Sequence, residues 1–339
     1  MITHQPNEIL ESIHHHISQA WILKKSASDS LQGHLDTAFD QLDDLIRRSY
    51  DRYTNIELED GKEEEKEEET DRVYPHHITQ ANHMASAILV KVVAGDMSVG
   101  DDKDDDRMER AAKILAHLSG RGAAGAITRT WHIPYLNDDG DRQEFKIKLH
   151  EPSFIGNDIG FKTWGAAPLL AKKLIQQRVI TDMPSRRVLE LGTGTGMVGL
   201  VCGMLGAREV HVTDYHPRVL ENVAVNLNLN HSRAVVSKLD FIEVANDNSA
   251  EWKDKKFDTI IASDLLYEME HAEHLPVAVE KLMENEFYFM IPLRDTHWKE
   301  VNRFEQKMQQ VGLRNRYTID SEKQEEEGIV RYRYYEYTR

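Results

Sequence analysis

The sequence predicts an α/β protein built on a doubly wound, seven-strand sheet, parallel except for one antiparallel strand. A helical N-terminal region and a β-hairpin come before it. Three observations predict this. The first is a strand–turn–helix unit: Val188 to Leu191 is a short apolar run, Gly192, Gly194 and Gly196 follow at once, and Met197, Val198, Leu200 and Val201 begin a helical pattern. The second is repeated alternation of apolar runs and helical patterns to the end of the chain, which implies parallel strands joined by crossover helices. The third is that Glu190, Asp214, Asp240 and Ser263-Asp264 all fall at strand ends. In such sheets the ligand lies at the carboxyl ends of the strands.

From the N-terminus, Ile9, Leu10, Ile13, Ile17 and Trp21 recur at helical spacing, as do Leu31, Leu35, Phe39, Leu42 and Ile46. A Glu/Lys run over 57–71 reads as a disordered surface loop. Ile78, Ala81, Ala85, Ile88 and Val92 predict a third helix, and Met108, Ala111, Leu115 and Leu118 a fourth, stopped by Gly120, Gly122 and Gly125. The expected division is a helical region over 1–125 and a second domain, carrying the hairpin and the sheet, over 126–339. His14-His15-His16 does not predict a metal site, because adjacent helical residues point about 100° apart; solvent-exposed histidines are expected.

Ile127, Arg129, Trp131 and Ile133 share one face, as do Phe145, Ile147 and Leu149, and Asn-Asp-Asp-Gly-Asp over 137–141 separates them, so a β-hairpin is predicted. Ala167 to Ile175 reads as a helix ahead of the first core strand. Beyond the glycines, Val210 to Val212 is a strand ending on Asp214, and Val219, Val223, Leu227 and Asn230 mark a helix. Ala234 to Leu239 and Phe257 to Ala262 are further strands. A helix over 271–284, a strand over 287–291 and a helix over 298–311 follow. The run 331–337 alternates and pairs with a strand near 314–319, closing the sheet.

Composition sets limits. The 339 residues are enough for one full α/β core and an extension of more than a hundred residues. The formal charge of −16 is localised: residues 56–71 carry ten acids and two lysines, net −8, and residues 96–106 carry six acids and one lysine, net −5. Both runs read as solvated linkers, with an acidic arm for a basic partner as the alternative. Nothing resembles the basic stripe of a nucleic-acid binder. Cys202 is the only cysteine, so an intramolecular disulfide is excluded and a core thiol expected. Neither a leader pattern nor a long apolar run is present, so a cytoplasmic monomer without membrane association is expected.

Two ligand frames fit the glycines. Gly194-x-Gly196-x-x-Gly199 fits a dinucleotide fingerprint, and Glu190-x-Gly192-x-Gly194-x-Gly196 fits the first motif of S-adenosylmethionine (SAM) methyltransferases. Glu190 favours the second. An acid two residues before the first glycine suits a sulfonium and an ammonium and is unhelpful beside a pyrophosphate. Asp214 suits a ribose diol in either frame.

Further residues carry a family resemblance. Gly160-Phe161-Lys162-Thr163-Trp164-Gly165-Ala166-Ala167, the glycine motif from Glu190 to Gly196, Leu239-Asp240-Phe241, and Ser263-Asp264-Leu265-Leu266-Tyr267-Glu268 resemble the family-16 protein-lysine methyltransferases. More narrowly they resemble the fungal enzymes of that family that modify translation elongation factors. The resemblance covers about the last 190 residues, and Asp-x-x-Tyr is its most specific part. It implies SAM as cofactor and a protein substrate, elongation factor 2 foremost, with no metal and no nucleic acid. It implies that Trp164 packs beside the methionine moiety, that Glu190 and Gly192 line its amino-acid end, and that Asp214 holds the ribose. Asp240 would meet the adenine amino group, and Asp264 with Tyr267 would border the lysine channel as the catalytic pair. Phe241 stands where the family usually has Trp and still offers a stacking ring. The rivals are methylation of RNA or of another protein, a SAM-binding module without catalysis, and an NAD-binding protein. The chain has no Asn/Asp-Pro-Pro-aromatic run of the kind amino-nucleobase methyltransferases carry.

Overall fold

The computed structural model describes residues 5–24, 29–58, 73–98, 100, 102–120, 123–154, 159–325 and 328–339. It divides into two compact units. The first comprises Met1–Asn55, Asp60–Arg129 and Ser153–Gly156, and the second Ile56–Glu59, Thr130–Pro152 and Asn157–Arg339. The two units meet along the chain at Arg129/Thr130, within the first strand of the hairpin, Ile127–Leu136. Ile56 joins the second unit because its N–H donates to the His132 carbonyl at 2.9 Å.

The first unit contains helices α1 (Pro6–Leu23), α2 (Asp29–Thr54), α3 (Pro75–Val93) and α4 (Asp104–Leu118). The positions with helical periodicity form its core: Ile13, Leu35, Phe39, Leu42, Ala85, Ile88, Ala111 and Leu118 are buried together. Trp21 departs from the expected face and is exposed. Of the acidic run over 96–106, Asp104 to Asp106 form the first turn of α4, where carboxylates favour the positive end of the helix. Most of 57–71 lies outside the described residues, so the expected loop there does too. His14 and His15 are exposed, but His16 is half-buried with its Nδ1 2.8 Å from Nδ1 of His34.

In the second unit, β1 (Ile127–Leu136) and β2 (Arg142–Glu151) form the expected hairpin. Next come α5 (Ala166–Lys172), which continues as a π turn over Lys173–Gln177, then β3 (Arg187–Leu191), α6 (Met197–Met204), β4 (Glu209–Asp214), α7 (Pro217–Leu229) and β5 (Val235–Lys238). After β5 the chain forms α8 (Phe241–Ala245), β6 (Phe257–Ser263), α9 (Met269–Leu282), β7 (Met283–Pro292), α10 (Trp298–Gln310), β8 (Arg314–Glu325) and β9 (Gly328–Thr338). The seven-strand sheet has the order β5-β4-β3-β6-β7-β9-β8, and β9 runs antiparallel to both of its neighbours. The sequence did not signal α8, and β8 runs six residues past its expected end. Residues 320–325 are Asp-Ser-Glu-Lys-Gln-Glu, a polar edge segment whose hydropathy carries no strand signal.

Strand parity divides the core. Val188, Val210, Val212, Ile261, Tyr288 and Tyr334 pack with α5, α6, α7 and the hairpin. Leu189, Leu191, Ile260, Ala262, Phe287, Phe289 and Tyr335 pack with α8, α9 and α10. Adjacent strand residues point to opposite faces, so both faces are covered by helices and the strands read as continuous apolar runs.

Candidate active site

The strand order reverses at β3. From β3 the chain moves outward through β4 to β5, then returns to place β6 on the other side of β3. Such a switch opens a crevice at the carboxyl ends of the strands, and a cleft of about 340 Å³ lies there. That is within the range of sites for small molecules, roughly 300–1,000 Å³. Trp164, Gly192, Gly194, Asp214, Asp240, Phe241, Ser263, Asp264 and Tyr267 all line it. These residues run from Trp164 to Tyr267, and the sheet order brings them to one cleft.

The turn after β3 needs its glycines. Gly192, Gly194 and Gly196 have φ of 62°, 53° and 85°, a region costly for residues with a Cβ. A Cβ on Gly192 would lie 2.4 Å from Leu265 Cδ1, and one on Gly196 would lie 2.5 Å from Val223 Cγ2. A Cβ on Gly194 would meet nothing within 4 Å. Packing thus fixes the first and third glycines, while the second leaves open space at the cleft wall. Gly196 itself is not among the lining residues.

Glu190 takes a position other than the expected one. It shares a face with Val188, under α6, and is buried outside the lining. Its Oε2 accepts from Thr193 Oγ1 at 2.5 Å and from the Gly199 N–H at 3.1 Å. Burial pushes its pKa up to about 8, against the pull of those two donors. A mostly protonated carboxyl thus ties the glycine turn to the first turn of α6 and does not face the cleft. An anion at that helix terminus, as a pyrophosphate requires, would find the Gly199 donor already engaged.

Asp214 ends β4 and is also buried. Its Oδ1 accepts from the His216 N–H at 3.0 Å, and desolvation raises its pKa while the N–H groups of His216 and Gly194 pull it back. Asp240 caps α8, with Oδ1 accepting from the Ile242 N–H at 2.8 Å. Phe241 beside it contributes its ring, set edge-on against His271 at 5.4 Å.

Asp264 lies at the opposite flank. It caps the first turn of α5, 98 positions away, and not the helix that follows it. Its Oδ2 accepts from the Ala166 N–H at 2.9 Å. Its φ of 56° is in the left-handed region, which Asp tolerates better than most residues. Desolvation pushes its pKa up to about 6, opposed by that N–H and by Arg294. Tyr267 is 40% exposed at the cleft mouth, with its ring edge-on to His271 at 4.4 Å. Desolvation pushes its pKa up to about 12, so the hydroxyl keeps its proton at neutral pH.

Trp164 is 37% exposed and lies between two cations, Lys162 Nζ 4.2 Å and Arg294 Cζ 5.7 Å from its ring. The segment carrying it is held by Glu151, whose Oε1 accepts from the Thr163 N–H at 2.9 Å, and by a 2.9 Å contact between the hydroxyls of Thr163 and Thr195. Asn226 on α7 completes this support. It bonds both backbone groups of His150, and its Nδ2 also donates to the Thr195 carbonyl at 2.9 Å.

Sequence reasoning did not assign Lys162, Thr193, Tyr215, Glu268, Glu270 or His271, all of which line the cleft. His271 has a usable signal, since it opens the helix predicted over 271–284, just after Tyr267. The others carry no pattern of their own. Among the described residues no group of three His, Cys, Asp or Glu side chains is placed to hold a metal, and no helix is long and apolar enough to cross a membrane.

A family model described as lysine methyltransferase matches residues 142–311. The chain is 30% identical over 237 residues to protein-lysine N-methyltransferase rrg1 of Schizosaccharomyces pombe, covering 66% of this chain and 75% of that protein. It is 26% identical over 268 residues to protein-lysine N-methyltransferase EFM2 of Saccharomyces cerevisiae, covering 73% of this chain and 62% of EFM2. Among solved structures, magnesium protoporphyrin IX methyltransferase of Synechocystis, with bound SAM, aligns at a TM-score of 0.40 and 14% identity, covering 51% of this chain and 77% of that one. The family model spans half of the chain and agrees with the first of these relatives: the chain belongs to the lysine methyltransferase family and is a SAM-dependent protein-lysine methyltransferase.

Proposed function

We propose that the chain transfers a methyl group from SAM to a lysine ε-amine of a translation elongation factor, elongation factor 2 foremost. The observation that carries the reading is the order of groups across the sheet: Asp240 follows β5, Asp214 ends β4, the glycine turn follows β3, and Asp264 follows β6. A nucleoside with an amino-acid tail fits that order, with adenine beside Asp240 and Phe241, ribose at Asp214, and the tail over Gly192 and Gly194 toward Trp164 and Ser263. Gly194 has the open approach such a tail needs. The elongation-factor target rests on the motifs shared with fungal enzymes that modify such factors.

When bound, SAM supplies an electrophilic methyl group on a sulfonium. The residues at the β6 flank then have two tasks. They would hold the lysine nitrogen in line for attack on the methyl group and exclude water. The amine, with an ordinary pKa near 10.4, must also have given its proton up to solvent before attack, and the channel favours that neutral form. Asp264, ionised above about pH 6, attracts the ammonium through Oδ1, because Oδ2 is held by Ala166. The Tyr267 hydroxyl accepts a hydrogen bond and orients the amine. Trp164 and Tyr267 make the channel partly apolar, which together with the sulfonium charge lowers the amine's pKa. Incubating purified elongation factor 2 with SAM and the enzyme, then mapping peptides by mass spectrometry, should find methylated lysine. Unmodified elongation factor 2 beside another labelled protein would remove the target assignment alone.

A further inference from the structure

The charged side chains lining the cleft are very unequal in sign. Asp214, Asp240, Asp264, Glu268 and Glu270 are acids, and among the described residues Lys162 is the only cation in the wall. A cleft for a purely cationic ligand needs no such lysine, and a cleft for SAM has one anion to place, the carboxylate of the amino-acid tail. At the start of α6 the Gly199 N–H is already taken up, since it donates to buried Glu190. Lys162 is half-buried, lies with its Nζ 4.2 Å from the Trp164 ring, and has no ion pair among the described residues. Arg294, the other cation over Trp164, is exposed and is not in the lining.

We infer that Lys162 binds the carboxylate of the cofactor's amino-acid tail, an assignment that rests on the SAM reading of this cleft. Trp164 holds the lysine stem and head beside the tail, and Asp264 across the flank is kept free of that carboxylate for the incoming amine. Lys162 therefore distinguishes the intact amino-acid nucleoside from a nucleoside thioether that lacks the tail. It has no part in the transfer step.

Calorimetry with two probes tests this. S-adenosylhomocysteine carries the carboxylate, and methylthioadenosine keeps the nucleoside and sulfur but lacks the amino-acid portion. Lys162→Met keeps the stem on Trp164 and removes the charge. It should weaken S-adenosylhomocysteine by about 10- to 100-fold, the worth of one charge-assisted hydrogen bond, and leave methylthioadenosine unchanged. Lys162→Arg should keep most of the affinity, and Arg294→Met should keep all of it. The assignment is overturned if Lys162→Met binds S-adenosylhomocysteine as the wild type does, if it loses both probes equally, or if the loss follows Arg294→Met instead. Wild-type protein that binds neither probe would remove the cofactor reading itself, a separate result.

Discussion

Glu190 is where a single side chain determines more than its position in the motif suggests. Its pKa in the folded protein, about 8, lies above the ordinary 4.5. Over the interval between those values the folded state holds a proton that the unfolded chain has released, so stability falls as pH rises through it. Glu190→Gln keeps an acceptor for Thr193 and Gly199 and removes the titration. Between about pH 5 and pH 8, wild-type Tm should fall relative to that of Glu190→Gln; parallel curves by calorimetry would contradict the buried, protonated carboxyl. At the lysine flank, Tyr267→Phe and Asp264→Asn should leave S-adenosylhomocysteine affinity close to wild type and lower kcat by about 10- to 100-fold. The rise of kcat/KM through about pH 6 that wild-type Asp264 imposes should be absent in Asp264→Asn. Three acids, Asp214, Asp240 and Asp264, were legible in the sequence because each closes an apolar run, and a strand end is a fixed place in a parallel sheet. The direction of Glu190 follows from parity with Val188, but which face α6 would cover is a tertiary fact that the motif does not carry.

Among the elements, α7 does more than cover the sheet. Asn222, Asn226 and Asn230 stand four apart on one side, and their amides bond the backbone of β2 at His150 and Lys148. The hairpin is thereby joined to the helix by polar contacts, and Asn226 passes the connection to the glycine turn at Thr195. The four-residue spacing is visible in the sequence; the partner is not, because an unpaired strand backbone has no sequence signature. Asn226→Ala would remove three hydrogen bonds, two to the backbone of His150 and one to the buried Thr195 carbonyl, at about 2–3 kcal/mol. Tm should fall by about 5–10 °C, with weaker S-adenosylhomocysteine binding as the turn loosens. Asn230→Ala, at the exposed end, should change either by much less. Equal effects from the two variants would show that the ladder only fastens the hairpin.

At the scale of the molecule, the charge of −16 is concentrated in two runs that carry −13 of it. Ile56 and Glu57 are tied into the methyltransferase unit, through His132 and through the Gln176 amide donating to the Glu57 carbonyl at 3.1 Å, so the first residues of the acidic run are held in place. Deleting 61–71 should move Tm by no more than about 2 °C, as expected for solvated charge. If the run attracts a basic partner, the deletion should slow methylation of a protein substrate at low salt and have no effect at high salt, where screening removes long-range attraction. The sheet was readable because both of its faces are covered and its central strands, Arg187–Leu191, Phe257–Ser263 and Met283–Pro292, carry long apolar runs; the order of the strands was not. The four N-terminal helices were readable from periodicity, whereas nothing in their composition indicates what they contribute to activity.

The most direct measurement is transfer of a deuterated methyl group from SAM into a cell extract, with proteins and nucleic acids analysed separately by mass spectrometry. Wild-type protein should place the label on a lysine ε-amine of a protein, and Asp214→Ala, without the carboxylate proposed to hold the ribose, should place far less. Label on nucleic acid, or on protein to the same extent with Asp214→Ala, would contradict a protein-lysine methyltransferase working at this cleft.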